Sequence, residues 1–82
     1  MPIRIFNSWR ASGVVPPEWR PAEPPGHLVK VPVKNPDVLD ALQQLLPGRW
    51  MKVYRMGMNR TEVHYFEHIS GKVANVKMKF KG

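Results

Sequence analysis

The chain predicts an α+β domain in which a proline-rich N-terminal arm precedes one helix packed on a three- to four-stranded antiparallel sheet. Three observations carry that expectation. Eight of the nine prolines fall within residues 1–36, so regular structure is concentrated after them. One stretch, residues 35–48, repeats apolar side chains at helical spacing between helix start and stop chemistry. From Trp50 onward apolar and polar residues alternate with the period of two that marks strands.

Residues 1–27 form the arm. The run from Pro16 to Gly26 cannot make regular helix or a central strand, because proline fixes φ and lacks a donor. It is an extended, partly polyproline II segment with two readings: a linker, or a strap that wraps the core with Trp9 and Trp19 as anchors. Residues 28–82 form the domain proper. Leu28 to Val33 fits a short strand, and Pro32 confines it to a sheet edge. Asn35-Pro36-Asp37 then opens the helix as N-cap, first-position proline and first-turn acid. Val38, Leu39, Leu42, Leu45 and Leu46 make its apolar stripe, and Pro47-Gly48 ends it. Trp50 to Arg55 is a strand, followed by a turn at Met56 to Asn59.

The last two strands meet at Ser70-Gly71, the chemistry of a tight hairpin turn. With a two-residue loop, Val63 faces Met78, Tyr65 faces Val76 and Thr61 faces Phe80 on one side of the ribbon. On the other side His64 faces Lys77, Glu62 faces Lys79 and Phe66 faces Asn75. The helix is expected to cover the apolar side, with Val38, Leu42, Leu45 and Leu46 against Val63, Tyr65, Val76, Met78 and Phe80. The charged side then stays open.

Composition limits the function classes. At 82 residues this is one small domain, and with no cysteine it has neither disulfides nor thiolate-held zinc. No apolar run is long enough for a transmembrane helix. The basic start, Met1 to Arg10, has a trace of a transit peptide, but Pro16-Pro17 ends its helical prospects and argues against targeting. The net charge of +7 is concentrated: residues 49–82 hold eight of the thirteen cations and two of the six acids. Such a balance favours a polyanionic partner (RNA, DNA or an acidic protein), although lysines that merely solvate a sheet face would give the same count.

Glu62, His64 and His68 share a strand face with Lys77 and Lys79 opposite. Cleavage of RNA by its own 2′-hydroxyl needs a base, an acid and cations for the charge on phosphorus, and requires no metal or other cofactor. Histidine serves as acid or base near neutrality, a glutamate two residues away orients it, and lysines hold the phosphate. The bland alternative is an ordinary Glu62–Lys79 ion pair beside a solvated His64. His64 and His68 lie about 13 Å apart on a strand, too far for one metal ion, and His27 is remote in sequence. Trp50, Lys52, Tyr54, Arg55, Arg60 and Phe66 interleave aromatics with cations, a mixture suited to single-stranded nucleic acid. If Met51 and Val53 are core, Lys52 and Tyr54 join the His64 face. Lys81 continues the basic series of Lys72, Lys77 and Lys79.

The segments Trp50 to Arg55, Thr61 to His68, Gly71-Lys72-Val73 and Val76 to Lys79 resemble the extreme C-termini of bacterial polymorphic and contact-dependent-inhibition toxins. Those chains end in a W-x-K-V-Y … E-(I/V)-H-(Y/W)-F … T/S-G-x-V-x-x-(F/V)-K-x-K pattern, and the match covers about 32 residues. The resemblance implies a small nuclease effector of the barnase/colicin/RelE-like class that cleaves RNA without metal. It would act in the cytoplasm after delivery as part of a larger toxin, with an acidic immunity or antitoxin protein as partner. Residue by residue it points to Glu62, His64, Lys77 and Lys79, with Lys52 and Tyr54; many such modules have a longer helical part. Catalytic candidates are therefore His64 and Glu62, with His68 and Tyr54; RNA-binding candidates are Lys52, Arg55, Arg60, Lys77, Lys79 and Lys81. Two other readings remain open: a non-catalytic nucleic-acid-binding module, and a protein-interaction module acting through the proline-rich arm.

Overall fold

The computed structural model describes residues 3–24 and 26–80, which leaves the candidate Lys81 outside the described residues. Five strands form one antiparallel sheet: β1 (Ile5–Phe6), β2 (Leu28–Pro32), β3 (Trp50–Met56), β4 (Thr61–His68) and β5 (Val73–Phe80). Their spatial order is β1-β5-β4-β3-β2, so the meander β3-β4-β5 is the centre and both flanking strands come from the chain before residue 33. The fold class is α+β. The strand beyond the expected number is β1, two residues long, pairing Ile5 with Ala74 and Phe6 with Val73. A two-residue strand carries no readable alternation, which is why the sequence hides it.

Helix α1 (Pro36–Leu45) begins where its capping chemistry places it. Asn35 Oδ1 accepts from the backbone N–H groups of Asp37 and Val38 at 3.0 and 3.3 Å, and Pro36 fills the first helical position. Beyond its end, the Gln43 side chain bridges both backbone groups of Gly48. The indole of Trp50 donates to the Leu46 carbonyl at 2.9 Å, tying the helix exit to the start of β3.

The β4–β5 hairpin differs from the expected two-residue turn. His68 N–H donates to the Lys72 carbonyl and Gly71 N–H to the His68 carbonyl, each at 2.8 Å, so the loop is Ile69-Ser70-Gly71. Gly71 supplies the left-handed position that such three-residue loops require, at φ 96°. Next to the loop, Phe66 pairs with Ala74 and Glu67 with Val73. A β-bulge then intervenes, with Asn75 and Val76 together opposite Tyr65, and Asn75 at φ 55°. Beyond the bulge the expected pairs return: His64 with Lys77, Val63 with Met78, Glu62 with Lys79 and Thr61 with Phe80. The β3–β4 connection also falls later than expected, at Met58-Asn59-Arg60, closed by Gly57 N–H to the Thr61 carbonyl at 2.6 Å.

Layering is the main correction to the sequence reading. Helix α1 does not cover the Val63/Tyr65 face. It packs on the His64 side, where Leu42, Val38, Leu39 and Leu46 meet Trp50, Phe66 and Ala74. The opposite face, with Val53, Val63, Tyr65, Val73 and Val76, is covered by Val15 and Trp19 of the arm, with Phe6, Trp9 and Met78 alongside. Phe66 and Ala74 make the histidine side apolar at one end, so both faces of the sheet need a cover. Leu45 and Phe80, expected in the core, are exposed, Phe80 by 74%. Trp9 stacks on Tyr65 and meets Trp19 edge to face. Trp19 in turn rests against Gly57, where any Cβ would collide with the indole. Backbone bonds from Ala22 N–H to the Met56 carbonyl and from Met58 N–H to the Arg20 carbonyl hold the arm to the β3–β4 turn.

Candidate active site: a histidine–glutamate pair in a cationic cleft

Alternation along β4 places Glu62, His64, Phe66 and His68 on the helix side of the sheet, and β3 contributes Trp50, Lys52 and Tyr54 to the same side. Glu62 Oε1 lies 2.8 Å from His64 Nε2, with both side chains largely buried. Glu62 therefore binds the histidine, not Lys79 across the ladder. A carboxylate can only accept, so Nε2 carries the proton and Nδ1 is the lone-pair nitrogen of the neutral ring. Nδ1 has no hydrogen-bond partner among the described residues and is not sealed from solvent. His64 as a whole is only 8% exposed, and Tyr54 packs edge to face against its ring at 4.6 Å. Glutamate and tyrosine together fix the ring's position and its tautomer.

Because α1 covers only one end of this face, a cleft of about 430 Å3 opens above His64. Lys52, Lys77, Lys79 and Asn75 line it with His64, over an apolar wall of Val38 and Phe66, and Asp37 is its acidic lining residue. A second cleft of about 480 Å3 shares Val38, Lys52 and Phe66 with it and adds Tyr54 and Lys34, so the two meet over Lys52. Lys52 Nζ sits 5.3 Å from the Tyr54 ring centre and 5.7 Å from that of Phe66, within cation–π range. Among the described residues, none of the three lysines makes an ion pair with a carboxylate. Their charge is available to an anion. No group of three His, Asp or Glu side chains converges among the described residues.

Several candidates stand elsewhere. His68 is at the far end of β4, where Nε2–H donates to the Pro47 carbonyl at 2.9 Å and Nδ1 accepts from Ser70 N–H at 3.1 Å. Trp50 meets its ring edge to face at 5.1 Å, and a Cβ at Gly48 would strike the imidazole. Both nitrogens are thus occupied in joining the helix exit to the β4–β5 loop. Arg55 points to the arm side: its Nε donates to the Tyr65 hydroxyl at 2.8 Å and its guanidinium lies 5.0 Å from the Trp9 ring. Burial pushes the Tyr65 phenol above its ordinary range, with Arg55 pulling the other way. Arg60 is exposed in the β3–β4 turn and does not line the cleft. Alternation had put Asn75 on this side of the ribbon, opposite Phe66, but had not singled it out as a site residue. The structure brings it to the same side by another route, as the extra residue of a bulge opposite Tyr65, and it lines the cleft. No protein-family model matches the chain, and no curated protein or solved structure matches it either.

Proposed function

We propose that the protein is a metal-independent ribonuclease of toxin type, working from the His64–Glu62 pair. The observation that carries this reading is a buried, oriented imidazole whose Nδ1 has no partner among the described residues, in a cleft lined by three lysines that pair with no carboxylate among those residues. RNA cleavage of this class has the 2′-oxygen attack phosphorus while the P–O5′ bond breaks, giving a 2′,3′-cyclic phosphate and a 5′-hydroxyl. His64 Nδ1 takes the 2′-hydroxyl proton as general base, and Glu62 stabilises the imidazolium that forms. Lys52, Lys77 and Lys79 hold the phosphodiester and offset charge growing on its non-bridging oxygens. The departing 5′-oxygen takes its proton from water. Tyr54 supports the ring and lines the adjoining cleft, where an unstacked base has an aromatic face and an apolar wall. In this reading the effector reaches cytoplasmic RNA after delivery, and an acidic immunity protein masks the same lysines.

The deciding assay is cleavage of total RNA in EDTA. Wild type should cut, and His64→Ala should lose about 10²- to 10⁴-fold, the range of one general acid–base group. Undiminished cleavage by His64→Ala removes the pair from the chemistry. Salt-steep RNA binding without turnover would instead assign the face to binding alone.

A further inference from the structure

The β-bulge on β5 is placed where it does two things to the cleft. If the register next to the loop continued past residue 74, Lys77 would face Val63 on the arm side, and Asn75 would face Tyr65 in the apolar core. The extra residue puts Val76 into the core instead, returns Lys77 and Lys79 to the His64 side, and leaves Asn75 lining the cleft. Asn75 stands at φ 55°, a left-handed conformation that costs most residues about 1 kcal/mol or more and glycine nothing. Its side-chain amide makes no hydrogen bond to the protein among the described residues, although the residue is half-buried. Asparagine is, after glycine, among the residues that most readily take this conformation, so the bulge accounts for the backbone. The side-chain amide, without a partner among the described residues in the cleft it shares with His64, is the group open to a ligand.

We propose that the Asn75 amide is a catalytic hydrogen-bond donor to a non-bridging phosphoryl oxygen. This inference rests on the ribonuclease reading above. As the 2′-oxygen bonds to phosphorus and its proton passes to His64, negative charge grows on the non-bridging oxygens. The lysines meet that charge from flexible stems. Asn75 meets it from a short side chain on a fixed bulge, the preorganised kind of donor that acts most strongly in the transition state. It forms no bond and moves no proton; the 5′-oxygen still leaves with a proton from water.

Asn75→Gly and Asn75→Asp separate the backbone role from the amide. Glycine keeps the left-handed backbone and removes the amide, whereas aspartate keeps the shape and replaces the donor with an anion. The expected result for Asn75→Gly is a fall in kcat of roughly 10²-fold, typical of one lost oxyanion donor. Its urea midpoint should equal or exceed that of wild type, and its affinity for a 2′-deoxy, uncleavable oligonucleotide should stay within about twofold. Asn75→Asp should lose at least as much kcat and also bind that oligonucleotide more weakly. Wild-type kcat in a folded Asn75→Gly protein overturns the proposal and leaves the His64 chemistry standing. If wild type cuts no RNA, or His64→Ala cuts as well as wild type, the ribonuclease reading itself has failed.

Discussion

On the arm side of the sheet, Val15, Trp9 and Trp19 lie across Val53, Val63, Tyr65 and Val76; Arg55 there is tied to the Tyr65 hydroxyl, while the Trp19 indole N–H is buried without a partner among the described residues. On the helix side, α1 covers Trp50, Phe66 and Ala74 but leaves His64, Lys52 and Lys77 lining a cleft. Both covers sit on the same strands and use alternate residues of them. The difference lies in reach. The arm bends through a 3-10 turn at Arg10–Ser12 and a second turn at Pro16–Trp19 and so lays Trp9, Val15 and Trp19 across this face, whereas a ten-residue helix spans about 15 Å and covers one end of the other. The sealed face supplies stability, and the partly covered face supplies room for a ligand above a rigid floor.

The sharpest way to break that contrast is to loosen the seal. Trp19→Ala should cost about 3–5 kcal/mol, as deletion of a fully packed aromatic does, read as a lowered urea midpoint. A change under about 1 kcal/mol would mean that the arm is a removable linker and that the sheet stands without it.

A smaller effect is expected on the helix side, at the histidine outside the cleft. His68→Leu removes the partner of the Pro47 carbonyl and of Ser70 N–H. Pro47 and Ser70 are exposed residues, so water takes over part of each lost bond and the midpoint should fall by only about 0.5–1.5 kcal/mol, while any RNA cleavage shown by the wild type should persist in the remaining folded protein. Loss of cleavage at unchanged stability would return His68 to the catalytic set.

The smallest effect concerns pH. Burial raises the Tyr65 phenol above its unfolded value near 10, so the folded chain keeps this proton where the unfolded chain gives it up. The stability it contributes is complete below about pH 10 and is lost as pH rises through the folded value. Urea titrations between pH 8 and 11 should therefore fall more steeply for wild type than for Tyr65→Phe. Matching slopes would show that the arm side does not shield this phenol from ionisation.

Much of the fold was legible because its signals are local. The Asn35 cap, the Pro36 start and the Pro47-Gly48 stop act within a few residues of one another, so the helix could be read directly. Period-two alternation likewise put Glu62, His64, Lys77 and Lys79 on one face, and the register at the open end of the hairpin came out as expected. The loop did not. Ser70-Gly71 suits several turns, and a three-residue loop followed by a bulge gives the same pairing beyond Val76 as a two-residue loop without one. Lys52 and Tyr54 could be assigned to the His64 face only once Val53 was seen to be core. The separate fates of Arg55 and His68 depend on Trp9, Tyr65 and Pro47, which are distant in sequence.

By itself the sequence determined the helix, four of the five strands, their order and the alternation that gathers histidine, glutamate and lysines on one side of a hairpin. Those properties follow from backbone geometry and from residues within a turn or a strand of each other. Tertiary structure alone decided which cover went to which face, and therefore that the charged side is a cleft and not an open surface. Leu42 and Trp19 are both simply apolar in sequence, and either could pack on either side. The choice is made by chain connectivity, by the size of the apolar area at Phe66 and Ala74, and by a bulge at Asn75 whose strain is tolerated because the rest of the sheet holds it.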